Sequence, residues 1–262
     1  MKIIAPELDM DLFWFQLREV AIPLLILDYD GTLAPFQIDP ADAVPYPQIP
    51  PVLNDLMGQS RTRVIIVSGR PAIDVRNLLA LQEPPEIWGC HGAERLTRQG
   101  VGQSASLPNV TARALKTARQ QMEESNFGGR IEIKPFSMAV HWRGLENSQE
   151  KYARMTAQRI LTAYTGQTGL SLTEFDGGLE LRPEHITKAH AIKTILSEAP
   201  QPSACAYLGD DHTDEDAFAA LSGKGLSVLV RTDFRPTLAQ LWLKPPEDLI
   251  EFLHTWLDFT SS

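Results

Sequence analysis

Asp28-Tyr29-Asp30-Gly31-Thr32 follows directly on the apolar run Ile22 to Leu27. Two carboxylates one residue apart at the end of a buried strand are costly to desolvate without a cation. The arrangement suits one acid that binds a hard metal and attacks an electrophile while the other handles a proton. Asp28 is the expected nucleophile, because attack on phosphorus gives an acyl phosphate and splits one hard displacement into two easier ones. Asp30 is the expected acid toward the leaving alcohol, then the base toward water. Gly31 lets the backbone turn beneath a phosphate whose oxygens loop amides can bind. Thr32 is placed to support the Asp30 carboxylate. The competing interpretation is a loop of exposed acids or a helix cap.

Three further stretches add to this chemistry. Ser68-Gly69-Arg70 closes the apolar run Val64 to Val67 and offers a hydroxyl, an amide and a charge to a phosphate oxygen, although Ser68 would serve equally as a helix cap before Pro71. Gly209-Asp210-Asp211-His212-Thr213-Asp214-Glu215-Asp216 packs five acids into eight residues after the run Ala204 to Leu208. Magnesium takes oxygen ligands and few protein carboxylates. The expected ligands are the side chains of Asp28 and Asp210 and the backbone carbonyl of Asp30, with Asp214 or Asp211 behind them holding a lysine or a metal-bound water. That much negative charge needs cations; Lys188 could bridge Asp28 and a bound phosphate, although a lone lysine at a helix start reads equally as a surface charge.

The elements that must position these groups are legible from hydrophobic pattern. Leu24 to Leu27, Val64 to Val67, Ala204 to Leu208 and Leu226 to Val230 are continuous apolar runs, as strands covered on both faces require. Helical segments come after two of them, over Pro71 to Leu79 and Asp214 to Leu221. The alternation predicts a doubly wound parallel-sheet α/β core, in which ligands sit outside the carboxyl ends of the strands. Phe13, Leu17 and Val20, together with Leu12 and Phe15, read as the packed face of an opening helix. Leu249, Ile250, Leu253, Trp256 and Leu257 read as that of a closing one.

The middle of the chain has another period. Ile131 to Lys134, Met138 to Arg143 and Leu179 to Arg182 alternate apolar and polar residues, the signature of half-exposed antiparallel strands. A turn is expected at Asp176-Gly177-Gly178. Helices are expected over Thr111 to Met122, with Leu115, Ala118 and Met122 inward, and over Gln149 to Tyr164, with Tyr152, Met155, Ile160 and Ala163 inward. Residues 104–182 are therefore read as an inserted α+β cap, and 1–103 with 183–262 as the core. The cap strands should turn Ile131/Ile133, Met138/Val140/Trp142 and Leu179/Leu181 onto the helices. Glu132/Lys134, His141/Arg143 and Glu180/Arg182 would then lie on the polar face.

Bulk properties narrow the function class. A net charge of −9 over 262 residues gives no basic footprint for nucleic acid. No apolar stretch is long enough to span a bilayer, and Met1 to Val20 does not read as a signal peptide. Cys90 and Cys205 lack metal-ligand spacing and read as buried free thiols of a cytoplasmic protein. No obligate protein partner is evident.

Together the motifs resemble the haloacid dehalogenase (HAD) superfamily, and within it the trehalose-6-phosphate phosphatase family. The resemblance is carried by Asp28 to Leu33, Ser68-Gly69-Arg70, Gly89-Cys90-His91-Gly92-Ala93-Glu94, and Glu132-x-Lys134 with His141-Trp142-Arg143. Leu179 to Pro183 and Gly209 to Phe218 complete it. It implies a HAD-like, Rossmannoid fold and a magnesium-dependent phosphatase whose mobile cap closes over a sugar phosphate. It further implies that Lys188 takes the bridging role and that Glu132, Lys134 and Glu180 grip the glucose units, with Arg70, His91 and Glu94 as additional contacts. Two positions depart from the family pattern: Ala189 follows Lys188 in place of glycine, and Trp142 replaces tyrosine. The alternatives are a phosphatase of another sugar phosphate, of glucosyl- or mannosyl-glycerate type, and a non-catalytic sugar-phosphate sensor.

Overall fold

The computed structural model describes residues 1–37, 39–125, 129–175, 177–200 and 203–261. The chain divides into two compact units, Met1–Gln103 with Lys188–Ser262, and Ser104–Thr187. Among the described residues the strands are β1 (Lys2–Ile3), β2 (Leu24–Leu27), β3 (Arg63–Val67), β4 (Glu86–Gly89), β5 (Glu94–Leu96), β6 (Gly102–Ser104), β7 (Ile131–Ile133), β8 (Met138–His141), β9 (Leu170–Phe175), β10 (Gly178–Pro183), β11 (Cys205–Gly209), β12 (Leu226–Val230) and β13 (Leu241–Leu243). The α-helices are α1 (Met10–Glu19), α2 (Ile49–Gln59), α3 (Ala72–Leu79), α4 (Asn109–Glu123), α5 (Asn147–Leu161), α6 (Lys188–Glu198), α7 (Glu215–Leu221) and α8 (Glu247–Thr260). No helix among the described residues is long and apolar enough to cross a membrane.

The larger sheet runs β1-β13-β12-β11-β2-β3-β4-β5-β6. From β13 to β4 neighbouring strands are parallel. The margins are not: β1 is antiparallel to β13 and β5 to β4. The link from Gly89 to Glu94 is far too short for a parallel crossover, so the chain must return antiparallel. The sheet is thus mixed at its edges rather than parallel throughout.

Alternation within each apolar strand explains why helices cover both faces. Leu25 and Leu27 of β2 join a core with α1, α2, α3 and α8, while Leu24 and Ile26 join a second with α6 and α7. β3 divides in the same way, Val64 and Ile66 against Ile65 and Val67. Each fully buried aliphatic side chain contributes about 1.5–3 kcal/mol.

Some helix faces differ from expectation. In α1 the buried residues are Phe13, Trp14 and Leu17, while Leu12 and Phe15 are exposed. Trp14 takes the inner position because its ring packs on Phe252 and Trp256 of α8. Ala72, Val75 and Leu79 face inward in α3, leaving Ile73 exposed. α8 buries Leu249, Leu253 and Trp256 as expected, and adds Phe252 and Thr260. α3 itself begins at Ala72, one residue beyond Pro71.

The second unit has its own sheet, β7-β8-β10-β9, antiparallel throughout. Leu115, Ala118 and Met122 of α4 pack beneath it with Met138, Val140, Leu179 and Leu181. α5 corrects the reading. Ala153, Ala157 and Leu161, spaced four apart, are its buried stripe, while Tyr152 and Met155 lie outside. Small alanines bring the helix close to the strands, which bulky Tyr152 and Met155 would prevent. Ile133 is also exposed, at the end of edge strand β7. Of the expected turn, Asp176 lies outside the described residues and Gly178 already opens β10.

Candidate active site

Register brings the distant motifs level. β2 pairs Leu27 with Ile66 on one side and with Leu208 on the other. The next residues, Asp28, Val67 and Gly209, therefore stand side by side at the end of the strands, and Ser68 and Asp210 come one step later. The Asp28 amide continues the ladder to the Leu208 carbonyl at 2.8 Å. All three strands are parallel, so Asp28, Ser68 and Asp210 share the carboxyl edge of the sheet.

At that edge Lys188, the first residue of α6, is 3 % exposed. Its Nζ donates to Asp28 Oδ1 at 2.7 Å and to Asp214 Oδ1 at 2.6 Å. Asp214 is fully buried and fully engaged. Its Oδ1 also accepts from the Tyr207 hydroxyl, and its Oδ2 accepts the amides of Asp210 and Asp211, each at 2.9 Å. Asp214 therefore holds the lysine and the loop, with no oxygen to spare for a cation. Asp211 forms a reciprocal capping box with Asp214 at the short helical turn His212–Asp214.

Asp210 is the opposite case. Both of its carboxylate oxygens are buried and accept no hydrogen bond from the described residues. The Arg231 guanidinium approaches only to 3.9 Å. Oxygens of Asp28, Asp210 and Asp214 lie within 4.8 Å of one another. A buried carboxylate without donors is expensive to maintain, and a hard divalent cation satisfies it with the ligand type it prefers. The donor set fits magnesium, with Asp28 and Asp210 as the acids still able to bind it.

Titration behaviour follows from the same crowding. Burial pushes the Asp28 carboxyl up to about 7, against the attraction of Lys188 and with the help of Asp214. Burial and the neighbouring Asp28 raise Asp210 well above the usual carboxylate range. Burial alone would raise Asp214 too, but Lys188, Tyr207 and the Asp211 amide outweigh it and hold it low. Burial opposes the charge on Lys188, yet Asp214 and Asp28 win and raise it.

Gly31 closes this corner. Its φ is +77°, and a Cβ there would stand 2.2 Å from Asp210 Oδ2. Gly31→Ala is expected to push the Asp210 carboxylate aside, reducing kcat/KM by about 100-fold, the order of loss seen when a reacting group shifts by an ångström. It should also cost about 1–3 kcal/mol in strain, read by thermal denaturation alongside kinetics.

The other motif residues surround this centre. Arg70 grips Asp30 with both arms, Nε to Oδ2 and Nη2 to Oδ1, each at 2.7 Å, and donates Nη1 to the Pro40 carbonyl. The support expected from Thr32 comes instead from Arg70, because the buried Thr32 hydroxyl has no hydrogen-bond partner among the described residues. Ser68 is buried, and its Oγ accepts the Arg70 amide at 3.1 Å, leaving its hydrogen to donate elsewhere. His91 is buried against Gly69, where an added Cβ would meet its ring at 2.8 Å. Glu94 accepts the Ala72 amide at 2.9 Å, so Glu94 rather than Ser68 caps α3.

Glu132, Lys134 and Glu180 gather in the second unit. Glu132 and Glu180 flank Ala139 on one row of the sheet. The small alanine leaves room for Lys134 Nζ to reach Glu180 at 3.1 Å and Glu132 at 3.7 Å. Ser137 Oγ donates to Glu180 at 2.6 Å, and His141 Nε2 lies 2.8 Å from Glu132 Oε2. Trp142 is buried in this unit's core with the Arg154 guanidinium over its ring, so its departure from the family pattern falls in the packing and not on the polar face.

Sequence reading missed Tyr207 and Arg235. Tyr207 sits inside an apolar strand and carries no local signal. Arg235 donates to the carbonyls of Asp210 and Asp211 and pairs with Glu215. The only hint was that five acids crowded into one loop need cations.

The family model described as trehalose-phosphatase matches residues 26–244. A trehalose-phosphate phosphatase of Mycobacterium marinum is 30% identical over 243 residues, covering 88% of this chain and 60% of its own length. The chain thus spans three fifths of that relative. The trehalose-6-phosphate phosphatase of Escherichia coli is 29% identical over 229 residues, covering 87% of this chain and 80% of the relative. Among solved structures, the C-terminal domain of Candida albicans trehalose-6-phosphate phosphatase superposes with a TM-score of 0.80 at 21% identity, over 98% of this chain and 99% of that one, a likeness of fold. With a match that runs from β2 through β13 and takes in the buried acids and Lys188, the chain belongs to the trehalose-phosphatase family.

Proposed function

We propose that this chain is a magnesium-dependent phosphatase that hydrolyses trehalose 6-phosphate to trehalose and phosphate. Asp28 is the nucleophile: its carboxylate oxygen bonds to phosphorus as the bond from phosphorus to the sugar oxygen breaks. Asp30 gives that oxygen a proton, then takes one from the water that hydrolyses the aspartyl phosphate and regenerates Asp28. Arg70 orients Asp30 through one hydrogen bond to each carboxylate oxygen, and each oxygen keeps a further lone pair for the proton. Lys188 keeps Asp28 oriented and offsets repulsion between it and the phosphate. Ser68 donates its free hydrogen to a phosphate oxygen. Magnesium, held by Asp28, Asp210 and the Asp30 carbonyl, would supply positive charge to the transferring phosphoryl group. Asp214 positions Lys188.

The observation that carries the proposal is Asp210, a buried acid with unmatched oxygens beside a lysine-held Asp28. A pure sensor has no use for Asp30 as well. Residues 104–182 act as the cap, with Glu132, Lys134 and Glu180 as its sugar contacts. Arg70, His91 and Glu94 are the core's own contacts. Neither Cys90 nor Cys205 is in a disulfide and both are buried, in keeping with a cytoplasmic setting.

Steady-state rates on trehalose 6-phosphate, glucosyl- and mannosyl-glycerate phosphates and p-nitrophenyl phosphate test the substrate. Trehalose 6-phosphate should have the highest kcat/KM; a rival better by orders of magnitude would overturn the assignment. Glu180→Ala should lower kcat/KM for trehalose 6-phosphate by about 100-fold, the loss expected when a site's hydrogen bonds to substrate go unmade. The same variant should leave p-nitrophenyl phosphate within a few-fold. Equal losses on both would show that Glu180 does not contact the sugar.

A further inference from the structure

The loop that presents Asp210 is held from two sides. Asp214 Oδ2 accepts the amides of Asp210 and Asp211 at 2.9 Å. From the other side Arg235 donates Nε and Nη2 to the Asp210 carbonyl, each at 3.2 Å, and Nη2 to the Asp211 carbonyl at 2.7 Å. Its Nη1 donates to the Pro236 carbonyl at 3.0 Å and pairs with Glu215. Glu215 in turn accepts the Thr237 hydroxyl and the Leu238 amide. The Arg235 side chain is 11 % exposed.

A planar trans peptide points its C=O and the following N–H in opposite directions. The peptide between Asp210 and Asp211 is therefore pinned at both ends, its carbonyl by Arg235 and its amide by Asp214. The peptide before Asp210 is pinned through the Asp210 amide. With both flanking planes fixed, so are the backbone angles of Asp210 and the direction of its Cβ. That direction sends the carboxylate into the buried space beside Asp28, where it meets no donor. A planar guanidinium with five donors spans two carbonyls and a carboxylate at once; an ammonium does not.

We propose that Arg235 is a positioning residue for magnesium binding: it fixes the Asp210 loop in the ligating conformation without touching metal or substrate. The inference rests on the proposed role of Asp210 as a metal ligand. The test is calorimetric titration of Mg2+ into metal-free, substrate-free protein. It compares wild type, Arg235→Gln, Arg235→Lys, and Arg63→Gln as a control. Arg63, at the amino end of β3, pairs with Glu86 at the amino end of β4 and with Glu198 at the end of α6, away from the carboxyl edge that holds Asp210. Arg235→Gln should weaken Mg2+ binding at least 10-fold, and Arg235→Lys, which keeps the charge but not the fork, should restore only part of it. The Arg235→Gln rate should return to within a few-fold of wild type at saturating Mg2+. Arg63→Gln should lower the melting temperature with Mg2+ affinity unchanged.

Wild-type affinity in either Arg235 variant would overturn the inference while leaving the metal site standing. So would a loss in Arg63→Gln as large as in Arg235→Gln, since general loosening would then suffice. A wild-type protein that takes up no Mg2+ would remove the metal site itself and this inference with it.

Discussion

Asp28→Asn is expected to reduce turnover of trehalose 6-phosphate by about 10,000-fold or more, the scale on which loss of a nucleophile is measured, while the metal-free protein keeps its melting temperature or gains in it. The two halves have one origin. Asparagine has the shape of aspartate and still offers Lys188 an oxygen, but its amide is a poor nucleophile toward phosphorus. Meanwhile the site loses a carboxylate that burial has pushed up to about 7 and that faces Asp210 and Asp214. Removing charge from such a cluster relieves it, and Lys188 keeps Asp214 as its partner. Kinetics and thermal denaturation on one sample decide the matter. Residual activity above about 1% of wild type, against the nucleophile scale just cited, would mean that another group attacks.

Lys188→Met should act on both stability and rate. Its ammonium is the cation that joins Asp28 to Asp214 at 2.7 and 2.6 Å. Without it two buried acids lose their partner, and breaking one side of a buried ion pair costs about 3–5 kcal/mol. That is a large share of the roughly 5–15 kcal/mol by which a domain is stable. The melting temperature should fall by roughly 10 °C, and turnover should fall below detection. Lys188→Met with Asp214→Asn should recover part of the stability, because one of the two stranded charges is gone, and none of the activity. The double-mutant cycle thus separates the two roles of the lysine. A Lys188→Met protein as stable as wild type would show that the acids do not depend on it.

The carboxyl-edge residues were legible because each closes a run that must be a strand. Four residues such as Leu24 to Leu27, apolar without interruption, fit only an element covered on both faces, and the polar residue after them must emerge at its end. Asp28, Ser68 and Asp210 were all placed in this way, and the parallel register then sets Ser68 and Asp210 level, one step beyond Asp28. The side chains behind them were not legible. Tyr207 belongs to a strand whose other residues are there to be buried, and nothing in its neighbourhood marks it as a partner of Asp214. Arg70 was read as a charge for phosphate, yet it grips Asp30. Which acid a cation chooses depends on directions in space that residue types do not encode.

Helix faces failed for a related reason. In α5 the larger residues Tyr152 and Met155 were expected inward, but Ala153 and Ala157 lie there, because the helix is seated closely on the strands along most of its length and takes a larger side chain, Leu161, only at its end. In α1 Trp14 displaced Leu12 and Phe15 through its fit against α8. Periodicity states that a helix has an apolar face; the partner surface decides which residues occupy it.

By itself the sequence determined the chemistry on offer: acids at strand ends, a lysine to offset them, and two kinds of sheet, since strand period and strand ends are local properties. Only the tertiary structure decided how the acids divide their work, with Asp214 saturated by donors and Asp210 left with none. That division depends on burial and on the direction of each hydrogen bond, which arise when segments far apart in the chain pack together.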